Sequence, residues 1–453
     1  MSLEASDMRA AGLQANSLRG YEMSMQKMVK LGVLPGCASV VFRKGVVAHA
    51  GKWGYADVER RTKFDFDTQC RMFCTTKSFV GFATMRLAEQ GLLTVEDRLD
   101  KWLPQFAGAR VHTIGSARAV AAKQPIRLKH LLSHTSGISY PPDPGEDTEC
   151  EEHVQYRKLQ AAVQRNSIGS LKVFVDKLAK IPLLCHPGEK YYYGYSYDVL
   201  ARVLEVVYHK PLDKCLNELI FEPLGMSQTG WALQDSQLSH ASCCYCSTTT
   251  WGHVWGDVDG AVPSAPRNGL VKLDGSQASD CHWYEGSQCG VLSGGGFMGY
   301  LHGGLLSTVR DTAKFLVMLL NYGVTENGVR LLRESSVKAM ERNRLTKAVG
   351  GTNRVCYLGN IGAFRQGGNE FGMGGAACTY WSIDRAEDVA TVWFAQHVDL
   401  PDVSEVEGVD PAKADLWALL HTLVSAKPSS QKKRKAPASS ASSKRARTSS
   451  RAV

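Results

Sequence analysis

Cys74 and Lys77 lie three residues apart at the predicted start of a helix, and this pair constrains the chain more than any other feature. Residues three apart share one helix face, so the thiol and the amine can meet. A free thiol titrates near about 8.5, and a helix N-terminus or a neighbouring cation lowers that pKa. The pair therefore predicts a nucleophilic centre. The same spacing also fits a buried cysteine on a core helix with a surface lysine nearby.

The basic charge of the chain belongs to its C-terminal end. The 453 residues include 53 Lys and Arg against 44 Asp and Glu, a net charge of +9. Nine of the basic residues and none of the acidic ones fall within 427–453, so 44 basic residues remain in 1–426 against 44 acidic ones. A neutral body does not favour nucleic-acid binding by the folded part of the chain.

Residues 426–453 are rich in Lys, Arg, Ser, Ala and Pro and contain no aromatic side chain. This composition cannot bury a core and predicts a disordered basic tail. The runs 432–435 (KKRK) and 444–447 (KRAR) are typical of a nuclear-import signal, which would make an import receptor a partner; a solubilising tail is the alternative.

The chain shows no apolar leader at its N-terminus and no long apolar run, and its 13 cysteines are scattered. We therefore expect no secretory signal, no membrane association and a cytoplasmic and/or nuclear location. Cys243, Cys244 and Cys246 suggest a metal site, but the next cysteines are too distant for zinc spacing. We interpret the cluster as a surface loop with free thiols and expect neither a metal nor another cofactor.

Apolar periodicity predicts an α+β fold with early and late strands in one antiparallel sheet and a mainly helical lobe between them. We expect a flexible segment at 1–16, one domain at 17–425 and the tail at 426–453. Two hairpins are predicted at 38–50 and 376–396, a loop at 140–155, and irregular structure with short strands at 226–300. Helices are predicted at 17–31, from Cys74 to about Gln90, at 168–181, 198–208 and 308–320, and from Asp410 to about Val424.

Six segments along the chain match the landmarks of one family in their order: 71–77 (RMFCTTK), 128–137 (LKHLLSHTSG), 187–196 (PGEKYYYGYS), 220–226 (IFEPLGM), 303–308 (GGLLST) and 371–377 (FGMGGAA). On these segments the chain resembles the serine β-lactamase-related proteins, which include class C β-lactamases, D-alanyl-D-alanine peptidases, esterases and acyltransferases. The resemblance covers roughly residues 20–425. It implies a β-lactamase/transpeptidase-like fold, with an antiparallel sheet flanked by helices and the active site between the sheet and the helical lobe.

The resemblance implies a role for each matched residue. Cys74 takes the position of the nucleophile, where the family has Ser in its S-x-x-K motif. Lys77 would assist its deprotonation, and Tyr193 would act as general base and then as proton donor to the leaving group. The backbone N–H groups of Cys74 and Ala376 would form the oxyanion hole.

Two of the matched segments depart from the family's pattern in ways that bear on the substrate. They are 187–196, which carries the family's second motif, and 371–377, which carries its third motif. Gly374 and Gly375 would let a substrate lie close to the strand. Met373 stands where many members have a Lys or His that binds a substrate carboxylate. Tyr195 stands where β-lactamases and cell-wall peptidases have the Asn that orients an amide. These changes favour a neutral ester or thioester. His134, by contrast, is interpreted as a turn former.

Two functions remain open from the sequence. The first is an esterase-like acyl hydrolase or acyltransferase that works through a covalent acyl-enzyme at Cys74, Lys77 and Tyr193, on a small ester or thioester. The second is a catalytically inactive member of the family that serves as a binding or interaction module. The segment 294–299 (GGGFMG) lacks the strand and helix of a dinucleotide fold, and the chain contains no G-x-S-x-G motif.

Overall fold

The two predicted hairpins lie in one eight-stranded sheet whose strand order is β10-β11-β12-β13-β14-β1-β2-β3. Each neighbouring pair is antiparallel, and the early and late hairpins meet where β1 pairs with β14, with Val40 opposite Val392. The strands are β1 (Gly36–Arg43), β2 (Val46–Asp57), β3 (Thr62–Lys63), β10 (Val355–Cys356), β11 (Gly359–Ile361), β12 (Phe371–Gly375), β13 (Thr379–Asp384) and β14 (Val389–Ala395).

The computed structural model describes residues 2–3, 7–112, 118–141, 150–164, 167–232, 239–247, 269–273, 293–296, 304–362, 368–398, 400 and 406–425. Among these residues, three smaller sheets are separate from the large one. They are β4 (Cys70–Arg71) with β9 (Leu306–Ser307), β5 (Arg110–Val111) with β6 (Val120–Ala121), and β7 (Tyr245–Ser247) between β8 (Leu270–Lys272) and β15 (His397–Val398).

Some of the helices pack on the two faces of the large sheet, and the others form the helical lobe. They are α1 (Arg19–Leu31), α2 (Thr76–Glu89), α3 (Leu128–Leu132), α4 (Glu151–Gln164), α5 (Leu171–Leu178), α6 (Ser196–Tyr208), α7 (Leu212–Leu216), α8 (Glu222–Leu224), α9 (Val309–Leu320), α10 (Glu334–Met340), α11 (Lys347–Gly350), α12 (Pro411–Ala414) and α13 (Leu416–Ser425), with a π-helical turn at Asn217–Phe221 and 3-10 turns at Phe73–Thr75, Leu99–Lys101 and Pro104–Phe106.

The sheet separates two hydrophobic cores. On its inner face, α2 and α9 pack through rings such as Phe79 and Phe315 against Trp381. On its outer face, α1, α12 and α13 form a second core that includes Tyr21 and Met25. The sequence explains why α1 packs against the sheet, since the apolar residues of α1 recur at the spacing of one helix face. Helix α2 is buried almost all round, as expected for a helix between a sheet and a helical lobe.

The structure confirms both hairpins and the helices near 17–31, 198–208 and 308–320. It corrects the loop predicted at 140–155, because 151–155 begin α4; Glu151 and Glu152 in its first turn favour a helix N-terminus. Residues 142–149 lie outside the described part. The predicted C-terminal helix is two helices, α12 and α13, with extended backbone at Asp415 (φ −79°, ψ 100°) between them.

Two segments predicted to lack regular structure contain buried residues. Within the segment 1–16, for which flexibility stays a prediction, Ala11 and Leu13 are buried in the outer core. Cys243, Cys244 and Cys246 are buried in or directly before strand β7, which corrects the surface-loop interpretation. Among the described residues, no His, Cys, Asp and Glu side chains cluster as a metal site. Most of 226–300 and all of the predicted tail, 426–453, lie outside the described residues.

Candidate active site

Cys74 lies in the 3-10 turn Phe73–Thr75, which leads directly into α2. Phe73, the residue before it, has φ +45°, a left-handed conformation that costs a bulky residue about 1–3 kcal/mol. Gly296 supports the turn from outside, since a Cβ there would lie 1.8 Å from the Phe73 carbonyl oxygen. Only a glycine allows these two backbones to come so close, and their contact fixes where the partly exposed Cys74 thiol stands.

Lys77 is buried one turn further along, with 2% of its surface exposed. Its Nζ donates to the Gly295 carbonyl at 2.5 Å and lies 3.4 Å from the Tyr140 hydroxyl. It also lies 4.6 Å from the centroid of the Tyr193 ring, within cation–π range. A buried ammonium group requires such partners, and they hold the amine between the nucleophile and the second motif.

Tyr193 faces Cys74 from the loop before α6. Burial raises the pKa of its hydroxyl well above 10, and interactions with Cys74 and Tyr140 raise it further. The hydroxyl is therefore protonated at neutral pH. A protonated hydroxyl that shares a cavity with the nucleophile can serve as the proton donor to the leaving group after the sulfur has attacked.

His134 stacks against the site, although the sequence indicated only a turn former. Its φ of +53° fits a turn. Its ring lies 4.6 Å from the ring of Tyr193 and 5.1 Å from that of Tyr197, centroid to centroid. Burial, and then the charge of Lys77, hold the pKa of His134 well below 6.5, so the imidazole is neutral at pH 7. No hydrogen-bond partner of Nδ1 lies in the described part of the chain.

Asp198 is a site residue that the sequence did not single out. It is fully buried in the first turn of α6, where its Oδ1 accepts from the Gly295 N–H at 2.9 Å and from the Ser293 hydroxyl at 2.9 Å. Burial raises its pKa to about 6, while the Gly295 N–H and the charge of Lys77 oppose that rise. An acid within the apolar face of α6 is the signal that the sequence offers, whereas the helix prediction uses residue 198 only as its first residue.

Strand β12 supplies the opposite wall of the site. Strand β11 pairs with Phe371 and Gly372 only, so Met373, Gly374 and Gly375 lie at the edge of the described sheet. A Cβ on Gly375 would lie 2.3 Å from the Met72 carbonyl oxygen, so the strand needs glycine to approach the nucleophile turn. This close approach brings the predicted third motif to the nucleophile.

The structure brings most of the predicted residues to one cavity of about 740 Å³. Its lining includes Cys74, Tyr193, Met373, Gly374, Gly375 and Ala376, together with Asn360, which the sequence did not indicate. Lys77 lines a smaller, adjoining cavity with His134. Tyr195 is the exception among the predicted site residues. Its ring is fully buried behind the site and packs 4.6 Å from Tyr140 and 5.2 Å from Phe174, centroid to centroid.

The Beta-lactamase family model matches residues 24–409, and the chain belongs to that family. The fold is β-lactamase/transpeptidase-like, as the sequence indicated. A solved structure of EstCE1, a hydrolase with promiscuous acyltransferase activity, superposes with a TM-score of 0.65 at 24% identity, over 92% of this chain and 99% of that one. Among the described residues, no helix is long and apolar enough to span a membrane.

Sequence relatives include an esterase and an acyltransferase. Protein Rv1367c of Mycobacterium tuberculosis is 26% identical over 88% of this chain and 93% of its own length. Esterase EstB of Burkholderia gladioli is 27% identical over 51% of this chain and 56% of its own length. Acyltransferase mokF of Monascus pilosus is 25% identical over 49% of this chain and 53% of its own length.

Proposed function

We propose that this chain is an acyl hydrolase or acyltransferase that works through a thioester on Cys74. The observation that carries the proposal is the cavity that Cys74 and Tyr193 line together, with the Tyr193 ring centroid 4.6 Å from the Lys77 ammonium. A nucleophile, a proton donor and a cation thus lie close together, and the first two face an open cavity. The esterase and acyltransferase relatives support the same class of reaction.

The proposed reaction has two halves. In the first, the Cys74 thiolate attacks the ester carbonyl, a C–S bond forms, and the C–O bond breaks as Tyr193 protonates the leaving alkoxide. The Lys77 ammonium stabilises the resulting phenolate. In the second half, water or an acceptor alcohol gives its proton to the phenolate and attacks the thioester, which releases the acyl product and restores the thiolate. The N–H groups of Cys74 and Ala376 would stabilise both tetrahedral intermediates.

A neutral ester or thioester is the proposed substrate class. Met373 lines the cavity but is 97% buried and offers no charge to a substrate carboxylate. Tyr195 is packed behind the site, away from a position where it could orient an amide. Neither side chain supports the recognition of a β-lactam or a cell-wall peptide.

An inactive binding module remains the second candidate, and the cysteine itself favours it. In a site shaped for a serine alkoxide, the larger sulfur shifts the attack geometry, and a small misplacement is costly to the rate.

Turnover of simple esters separates the two candidates. Wild type is expected to hydrolyse nitrophenyl acetate or butyrate, Cys74→Ala to lose this activity, and Cys150→Ala, a partly exposed cysteine away from the cavity, to keep it. Full turnover by Cys74→Ala would refute the assignment of the nucleophile.

For the whole protein we propose a cytoplasmic and/or nuclear location, with an import receptor bound through the basic tail. The support is compositional, since the basic excess falls within 427–453. Deletion of 427–453 from a fluorescent fusion is expected to abolish nuclear accumulation, and an unchanged distribution would count against the import signal.

A further inference from the structure

The cavity at Cys74 continues past the edge of the sheet to its outer face. Beyond Gly374 its walls are formed by Met25 and Met28 of α1, Tyr380 and Trp393 of the sheet, and Leu416 of α13. We call this part the outer arm. These five residues belong to the outer hydrophobic core or pack against it, whereas Cys74 packs against the inner one. One continuous space therefore joins the nucleophile to the opposite side of the sheet.

The cavity passes from the inner face of the sheet to its outer face beside Gly374. Side chains alternate along a strand, and the neighbours of Gly374 face inward: Met373 packs in the inner core, and Gly375 abuts the nucleophile turn. Gly374 therefore faces outward, directly opposite Tyr380 on β13. A Cβ at 374 would lie 2.7 Å from the Tyr380 ring, so glycine lets this ring pack against the strand where the two parts of the cavity join.

The walls of the outer arm suit a hydrocarbon. Thioether, indole and aliphatic side chains dominate it, and the Trp417 N–H that borders it is already donated to Ser382 Oγ (2.9 Å) and Thr391 Oγ1 (3.0 Å). Asp415 also borders the cavity, but on the exposed side. A volume of about 740 Å³ lies within the usual range for small-molecule sites, roughly 300–1,000 Å³. Methionines in particular adapt to flexible apolar ligands.

We propose that the outer arm binds the saturated acyl chain of the substrate. The acyl carbonyl lies at Cys74, and the chain passes Gly374 and ends between α1 and α13. This assignment rests on the proposed function and adds the substrate class, medium- to long-chain acyl esters or thioesters. Each methylene group buried there adds about fourfold to binding.

The test compares chain lengths in wild type and in variants that fill the arm. Nitrophenyl acetate, butyrate, octanoate and dodecanoate are the substrates, and the readout is the ratio of kcat/KM for dodecanoate over acetate. Ala414→Phe fills the arm from α12, where Ala414 is buried against the cavity. Ala412→Phe, on the exposed side of the same helix, is the matched control. Wild type and the control should favour dodecanoate at least tenfold, and Ala414→Phe should remove that preference.

A binding measurement makes the test independent of turnover. Trp393 and Trp417 line the arm, so 12-bromododecanoate bound there should quench tryptophan fluorescence in wild type, with at least tenfold weaker binding to Ala414→Phe. Met28→Phe fills the arm from the opposite wall and replaces Ala414→Phe if circular dichroism shows that variant to be unfolded. Saturable quenching without ester turnover would support the arm and refute the proposed function. Turnover with no dependence on chain length, and equal binding to all variants, would refute the arm alone.

Discussion

Lys77 and Asp198 bind the two backbone polar groups of a single residue, Gly295. The Lys77 ammonium donates to its carbonyl oxygen at 2.5 Å, and the Asp198 carboxylate accepts from its N–H at 2.9 Å. Gly296, the next residue, packs on the nucleophile turn at Phe73. A buried carboxylate in α6 thus determines where the amine of α2 stands relative to Cys74, without touching the substrate itself.

Asp198→Asn is expected to slow ester turnover about ten- to a hundredfold, because the Gly295 loop and with it Lys77 lose their anionic anchor. As a positioning residue, Asp198 should affect kcat more than KM. The measurement is steady-state kinetics with a short-chain nitrophenyl ester over pH 5–9. Glu205→Gln, on the same helix but distant from the cavity, serves as the control. A variant with wild-type kcat at every pH would show that Asp198 does not position Lys77.

The free energy of unfolding should also vary with pH because of Asp198. Its pKa is about 6 in the folded chain, against 3.8 for an ordinary aspartate, chiefly because of burial. Between these values the folded state holds a proton that the unfolded state has released, so this group makes stability fall as pH rises from about 4 to 6. Wild type should lose about 3 kcal/mol relative to Asp198→Asn across that window. Urea unfolding at several pH values measures the difference, and parallel curves for the two proteins would contradict it.

Tyr193→Phe removes the hydroxyl of this residue and keeps its ring, so it tests the contribution of the hydroxyl alone. The ring contacts with His134 and Lys77 remain, whereas the proton donor to the leaving group is lost. We expect kcat to fall by about 10²–10⁴-fold with little change in the free energy of unfolding. Tyr192→Phe is the matched control, since Tyr192 is not among the residues that line the cavity at Cys74. Equal activity of the two variants would remove Tyr193 from the mechanism.

Alanine at the two glycines of the third motif should have unequal effects. A Cβ at Gly375 would meet the Met72 backbone carbonyl at 2.3 Å, whereas one at Gly374 meets the Tyr380 ring, which can rotate. We expect Gly375→Ala to lower the free energy of unfolding by about 2–3 kcal/mol and Gly374→Ala by about 1 kcal/mol. Thermal or urea unfolding measures both. The reverse order would show that β12 is placed differently against the nucleophile turn.

The fold and the motif residues were predictable because local signals and their order agreed. Alternating apolar residues indicated the hairpins that β1 with β2 and β13 with β14 form, and Cys74, Lys77 and Tyr193 followed from segments of the resemblance. The sequence does not predict the start of α4 at Glu151, because a run of acidic and proline residues favours a loop, although acids at a helix N-terminus stabilise it.

Residues that act through tertiary contact were beyond the reach of the sequence. Asp198 contacts Gly295 across 97 residues; its position within the apolar face of α6 indicates burial but not the residue that it contacts. His134 has the backbone of a turn former, and only packing places its ring on Tyr193. Tyr195 occupies a motif position, yet the aromatic rings around it hold its side chain in the core. The outer arm likewise depends on α1, α12 and α13 packing together on the outer face of the sheet.

Intact-protein mass spectrometry during reaction with an activated ester tests the central claim most directly. Wild type, Cys74→Ser and Cys74→Ala are sampled from seconds to hours, and peptide mapping locates any adduct. We predict one acyl group per wild-type chain, on Cys74, which decays as product appears, and none on Cys74→Ala. If wild type forms no adduct at Cys74, the chain does not work through a thioester. The same conclusion holds if only the Cys74→Ser variant forms an adduct.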